Sequence, residues 1–216
     1  MRAWQEMLNE ELSRHQDQNP YTDEDYFAYV DGKPRYNGVR DFFASRGITL
    51  PEGDPSDGPA AQTICGLGNR KNDLFNTVLA RDGIQPYPGS RRWVDRLHES
   101  GMAMAVVSSS RNAAAVLKAA GMVEDFSVLV DGNRSKTERL PGKPAPDTYL
   151  RGAELLGVPA EQCVVVEDAV SGVRAGAAGG FGMVLGVNRG VGADRLREAG
   201  ADRVVDDLDE MVEEMA

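Results

Sequence analysis

The stretch Val164-Val165-Val166-Glu167-Asp168-Ala169-Val170-Ser171-Gly172 decides how the rest of the chain is read. An apolar run that stops at two carboxylates and continues in small residues describes a buried parallel strand presenting charge at its C-terminal end. Ligands of open α/β sheets bind outside the carboxyl ends of such strands. Two adjacent acids there repel one another, and an oxygen-preferring ion such as Mg2+ relieves the repulsion while bridging to a substrate phosphate. The other reading is an acid pair opening a solvated helix, where negative charge suits the dipole. Taken alone, the nine residues leave both open.

Working outward, the chain on either side alternates. A helix with Trp93, Val94 and Leu97 leads into Met102–Val107, an apolar run of strand length. A helix around Ala113–Ala120 precedes a strand at Phe126–Val130, and a helix around Asp147–Leu156 precedes Val164–Val166. A small-residue helix over Gly172–Gly179 precedes a strand at Met183–Val187, and a last helix leads into Arg203-Val204-Val205 and an acidic tail anchored by Leu208 and Met211. Repeated βα units predict a parallel, doubly wound sheet. Residues 1–85 contain no convincing strand. Trp4, Met7, Leu8 and Leu12 recur at helical spacing, Val39, Phe42 and Phe43 mark a second helix, and Leu74, Phe75, Val78 and Leu79 a third. Tyr26, Phe27 and Tyr29 read as core of this region, and PEGDPSDGPA at 51–60 as a loop. The expected organisation is a helical domain over 1–85 and an α/β domain over 86–216.

The 216 residues carry a formal net charge of −10 and a pI near 4.8, which argues against a nucleic-acid or anionic-membrane surface. Cys65 and Cys163 are the only cysteines, too few for a disulfide framework and without metal-ligand spacing, so a reducing cytoplasm is expected. No long apolar span or leader-like apolar segment is present. A soluble monomer acting on small molecules fits these bounds. His15 and His98 each fall on a polar helix face and read as surface residues, and the glycines of 176–182 make no dinucleotide fingerprint.

Three strand ends matter together: Ser108 after Val107, Lys143 in Gly142-Lys143-Pro144-Ala145-Pro146-Asp147, and Glu167-Asp168. A hydroxyl, an ammonium and an acid pair are the groups phosphoryl transfer needs, the first two for the oxygens and their growing charge and the acids for Mg2+. Singly, Ser108 reads equally as a helix cap and Lys143 as a solvated loop lysine. Val106-Val107-Ser108-Ser109-Ser110-Arg111-Asn112, the Lys143 segment and Val165–Gly172 resemble the second, third and fourth motifs of the haloacid dehalogenase superfamily, in its β-phosphoglucomutase-like subgroup. Tyr87-Pro88-Gly89 resembles that subgroup's re-entry from cap to core.

The resemblance implies a Rossmann-like parallel sheet with a helical cap inserted after its first strand. It gives Ser108 and Lys143 the transferring phosphoryl group, and Glu167 and Asp168 the Mg2+. Ser109, Ser110, Arg111 and Asn112 would hold the substrate's other phosphate, and Arg35, Lys71 and Asn72 of the cap would contact a sugar phosphate. The acid pair argues for phosphotransfer rather than dehalogenation. The family's first motif, a central apolar strand ending in Asp-x-Asp-Gly with the nucleophile and the acid/base, does not occur in the sequence. Asp31-Gly32 and Asp131-Gly132 read as turns. Met1 is therefore expected to be an internal methionine of a longer protein or the result of a cut, and a core lacking that strand is expected to be poorly stable and inactive. The expected activity of the complete form is a sugar-phosphate mutase working through an aspartyl phosphate. The alternatives are a phosphatase of the same group and a phospho-ligand binder that has lost its nucleophile.

Overall fold

Trp4, Met7, Leu8 and Leu12 return every three or four residues, and that spacing gives α1 (Arg2–Leu12) one fully buried face. The computed structural model describes residues 2–214; Met1, with which this helix is expected almost to begin, lies outside the described residues. A short turn of helix, α2 (Asp23–Asp25), is closed by a reciprocal cap in which the Thr22 hydroxyl accepts from the Asp25 amide and Asp25 accepts from the Thr22 amide. It runs into a π-helical turn over Tyr26–Val30. In α3 (Arg35–Ser45), Val39, Phe42 and Phe43 bury completely in one apolar cluster with the α1 residues, and α4 (Ile64–Asp82) packs on both helices.

The chain divides into two compact units, Met1–Gly83 and Ile84–Ala216, and these four helices make the first. Tyr26 and Tyr29 pack against its core. His15 departs from the expected surface position. It is half-buried, 3.6 Å from the buried Glu11 and stacked obliquely near Phe43. In α4 the buried residues are Ile64–Gly68, not the Leu74–Leu79 stretch whose periodicity marks the helix. Small residues at Cys65, Gly66 and Gly68 let its first turns approach closely, and Tyr36 lies where a side chain at Gly68 would stand.

The second unit alternates helix and strand: α5 (Pro88–Glu99), β1 (Ala105–Val107), α6 (Ala113–Ala119), β2 (Val128–Val130), α7 (Gly132–Glu138), α8 (Asp147–Leu156), β3 (Val164–Glu167), α9 (Val170–Ala178), β4 (Met183–Val187), α10 (Ala193–Glu198), β5 (Arg203–Val205) and α11 (Asp209–Glu214). Every strand pair is parallel, as the βα alternation requires. The strands form two sheets, β1–β2 and β3–β4–β5. Among the described residues no strand lies between β1 and β3. The neighbouring layer is continuous nonetheless, because α8 packs on β1 and β2, α9 on β3 and β4, and the two helices touch.

Burial follows the pairing. β4 has a partner on each side and buries Val184–Val187, whereas none of β1's three residues is fully buried. The predicted strand Met102–Val107 shrinks to Ala105–Val107, because β2 offers partners only for those three residues. Met102, beyond the ladder, is 55% exposed. No helix is long and apolar enough to cross a membrane among the described residues.

Candidate active site

The end of β1 turns sharply. The Ser108 amide still donates to Val130 O at 2.9 Å, extending the ladder by one residue. The backbone then folds over its own hydroxyls, since the Ser110 amide donates to Ser108 Oγ at 3.2 Å and the Asn112 amide to Ser110 Oγ at 3.1 Å. Two successive serine turns of this kind compact the loop ahead of α6. Ser108, Ser109, Arg111 and Asn112 are half-buried and Ser110 is exposed. A hydroxyl that accepts from an amide keeps its own proton to donate, so Ser108 retains the group an anion requires.

Lys143 ties this loop to the other sheet. It is buried in the turn before α8, next to a cis bond to Pro144, and its Nζ lies 3.5 Å from Val107 O, the carbonyl preceding Ser108. The same Nζ donates to Glu167 Oε1 at the end of β3 and sits 4.6 Å from the centroid of the Tyr149 ring. Tyr149 Oη donates to Glu167 Oε1 at 2.8 Å. Glu167 Oε2 accepts from the amides of Asp168 at 2.8 Å and Ala169 at 2.9 Å. Burial alone raises a carboxyl pKa. Here the Lys143 charge and hydrogen bond, the Ala169 amide and the Tyr149 hydroxyl outweigh it and hold Glu167 below its ordinary value. Burial, with the Glu167 charge, pushes Tyr149 well above the usual phenol range, so this hydroxyl stays a donor.

Glycine at 172 makes room for the arrangement. A Cβ there would stand 2.0 Å from Glu167 Oε1, so only a residue without a side chain fits under the carboxylate.

Glu167 thus has both oxygens engaged, one by the ammonium and the phenol and the other by two amides, while Asp168 is exposed beside it. In this arrangement Glu167 holds Lys143 in place, and Asp168 is the exposed carboxylate at the strand end. No group of three or more His, Cys, Asp or Glu side chains is placed to hold a metal among the described residues. Mg2+ keeps several waters and needs only one or two carboxylates when phosphate oxygens complete its shell. An Asp168-centred donor set fits that requirement.

The first unit brings Arg35 and Lys71 into electrostatic reach of each other. Arg35 opens α3 rather than sitting in a turn, with its guanidinium 5.7 Å from the Tyr36 ring centroid. Its neighbour Lys33 is committed to Asp41 at 2.6 Å. Lys71 Nζ lies 5.0 Å from the Trp4 ring centroid and 4.9 Å from that of Phe75, with no carboxylate in ion-pair range among the described residues. Burial and the Arg35 charge bring Lys71 down to about 8. Asn72 follows it on α4, half-buried.

The predicted residues therefore fall into two clusters: Arg35, Lys71 and Asn72 in the first unit, and Ser108–Asn112, Lys143, Glu167 and Asp168 in the second. Sequence reasoning missed Tyr149 and Gly172 as supports of Glu167. The only signal for Tyr149 is an aromatic residue one turn into the helix after Lys143-Pro144, which reads as core.

A family profile described as haloacid dehalogenase-like hydrolase matches residues 1–180. The β-phosphoglucomutase of Mycobacterium bovis is 49% identical over 191 residues, 87% of this chain and 73% of that protein. Hexitol phosphatase A of Escherichia coli is 33% identical over 190 residues, 87% of this chain and 77% of that protein. Among solved structures, the β-phosphoglucomutase of Clostridium difficile aligns with a TM-score of 0.76 at 19% identity, covering 99% of this chain and 87% of that one.

Proposed function

The chain belongs to the haloacid dehalogenase-like hydrolases, and from that membership we propose that it carries the phosphate, sugar and Mg2+ sites of a sugar-phosphate mutase resembling β-phosphoglucomutase. The observation that carries the proposal is the junction of the two sheets, where one buried lysine reaches both the Ser108 strand end and Glu167. An ammonium held at that position, beside a hydroxyl and an exposed carboxylate, suits a phosphoryl group whose charge increases in the transition state.

In this reading the Ser108 hydroxyl donates to one phosphoryl oxygen and Lys143 neutralises another. Glu167 keeps the ammonium aimed. Asp168 holds Mg2+, which when bound supplies positive charge to the phosphoryl oxygens. Ser109, Ser110, Arg111 and Asn112 take a non-transferring phosphate; within the helical unit, Arg35, Lys71 and Asn72 are the residues proposed for sugar-phosphate contact. The sequence contains no Asp-x-Asp-Gly, so the nucleophile and the acid/base are assigned to none of its residues. The 49% identity to a β-phosphoglucomutase supports the mutase. A phosphatase is the second reading, supported by the likeness to a hexitol phosphatase. Two unpaired cysteines and a net charge of −10 support a cytoplasmic site and small-molecule partners.

Calorimetric titration with β-glucose 1-phosphate, glucose 6-phosphate and inorganic phosphate, with and without Mg2+, tests the proposal. Mg2+ is expected to tighten sugar-phosphate binding, Asp168→Asn to abolish that gain, and Ser108→Ala or Lys143→Ala to weaken phosphate at least tenfold. Equal binding by wild type and Lys143→Ala would refute it. Phosphorus NMR adds a one-sided test: conversion of one glucose phosphate into the other favours the mutase and release of phosphate the phosphatase, whereas neither is the outcome expected of a sequence to which no nucleophile is assigned.

A further inference from the structure

The loop that follows β1 does not hold its shape alone. Its backbone lies against the first turn of α7, and three contacts join the two. The Gly132 amide donates to Ser110 O at 3.1 Å, and Asn133 Nδ2 donates to Arg111 O at 2.9 Å. The third is steric, since a Cβ on residue 132 would stand 2.7 Å from Ser109 O and 3.1 Å from the Arg111 amide nitrogen. Only glycine permits that approach.

Asn133 is itself fixed. Buried Asp131 accepts from the Asn133 and Arg134 amides through Oδ1, at 3.0 and 2.9 Å, and from Asn133 Nδ2 through Oδ2 at 2.8 Å. One Nδ2 proton is thus held by Asp131 and the other is directed at Arg111 O. Every group in the chain from Asp131 through Asn133 to the loop backbone has a partner, which is the arrangement that imposes a geometry rather than merely tolerating one.

We propose that Asp131-Gly132-Asn133 is a clamp that sets the backbone of the Ser108–Arg111 anion loop, with Asn133 as a positioning residue that touches no ligand. It rests on the reading of that loop as a phosphate site. An anion loop works by pre-aimed donors, and each donor displaced by a fraction of an ångström weakens the whole set. The clamp fixes two carbonyls of the loop from outside, so its amides and hydroxyls keep their direction when no anion is bound. The turn that resembles a displaced Asp-Gly motif in the sequence thereby acts on the phosphate site through the backbone, not by chemistry of its own.

The experiment compares wild type with Asn133→Ala, Gly132→Ala and, as a control on the same helix, Thr137→Ala, whose hydroxyl bonds only to Asn133 O. Amide hydrogen exchange over residues 108–112 is measured without ligand, inorganic phosphate affinity by calorimetry, and the thermal midpoint for each. Asn133→Ala and Gly132→Ala are expected to accelerate exchange in that loop selectively and to weaken phosphate about three- to tenfold, with Thr137→Ala like wild type in both. Unchanged exchange in Asn133→Ala overturns the clamp whatever the chain binds. Exchange that rises uniformly over the unit overturns it too, by reducing Asn133 to a stability residue, and so does faster loop exchange at unaltered affinity. If Ser108→Ala also leaves phosphate affinity unchanged, the functional reading has failed, and the ligand-free exchange then decides the clamp separately.

Discussion

A buried lysine, Lys143, and a half-buried one, Lys71, show opposite chemistry. Lys143 has a carboxylate, and the pair is completed by Tyr149 and two amides, so removing Glu167 would leave a buried charge without its counterion. Glu167→Ala is expected to cost roughly 3–5 kcal/mol of unfolding free energy, and Tyr149→Phe, which deletes one hydrogen bond and keeps the ring, about 1 kcal/mol. Urea unfolding of the two variants would check the ratio, and equal costs would mean the ion pair contributes nothing beyond packing. Lys71 has aromatic rings and, among the described residues, no carboxylate in ion-pair range. With its pKa down at about 8 against 10.5 when unfolded, the unfolded chain holds more protons between those values, so stability rises with pH through that window. Below pH 8 the cost of this partly desolvated charge is fully present. Lys71→Met should therefore stabilise the first unit at pH 7, by about 1–3 kcal/mol, with the gain fading by pH 10, while sugar-phosphate affinity falls. A variant less stable than wild type at pH 7 would show that the cation is structural.

At the scale of elements, pairing predicts mobility. β1 pairs on one edge and buries none of its residues fully, while β4 pairs on both edges and buries four. Amides of Ala105–Val107 are expected to exchange faster than those of Val184–Val187, and the reverse order would contradict the two-sheet arrangement. Gly172→Ala puts a methyl group at the Glu167 carboxylate, so it should both loosen Lys143 and weaken phosphate binding, a loss that a titration of that variant would detect. The element types were legible because apolar periodicity survives in a single sequence, and α8 and β4 fall where their patterns put them. Strand ends were less so. Met102–Met104 is as apolar as Ala105–Val107, but a strand lasts only as long as its neighbour supplies partners. In α4 the large residues at Leu74–Leu79 carry the visible pattern, while the burial goes to Ile64–Gly68, where Cys65, Gly66 and Gly68 let Ile64 and Leu67 approach the core closely.

Over the whole chain, each unit has its own apolar cluster and its own tryptophan, Trp4 in the first and Trp93 in the second. Single-tryptophan variants are expected to report non-coincident unfolding curves, with only the Trp4 curve moving between pH 7 and pH 10 as Lys71 titrates. Coincident curves would mean that the two units unfold as one.

The order of Ser108, Lys143-Pro144 and Glu167-Asp168 along alternating βα units was enough to bring these groups to one end of parallel strands, because parallel topology puts all C-terminal ends together. Sequence alone therefore determined the α/β class and the helical character of residues 2–83, and it named Ser108, Lys143, Glu167 and Asp168 as candidates without Tyr149 or Gly172. Which oxygen each donor reaches was decided by tertiary structure. Lys143 meets the carbonyl of a residue 36 positions away, Tyr149 a carboxylate 18 away and Asn133 a carbonyl 22 away. No periodicity spans such separations, and the few ångströms that turn a neighbour into a hydrogen-bond partner are set by how the helices pack on the strands.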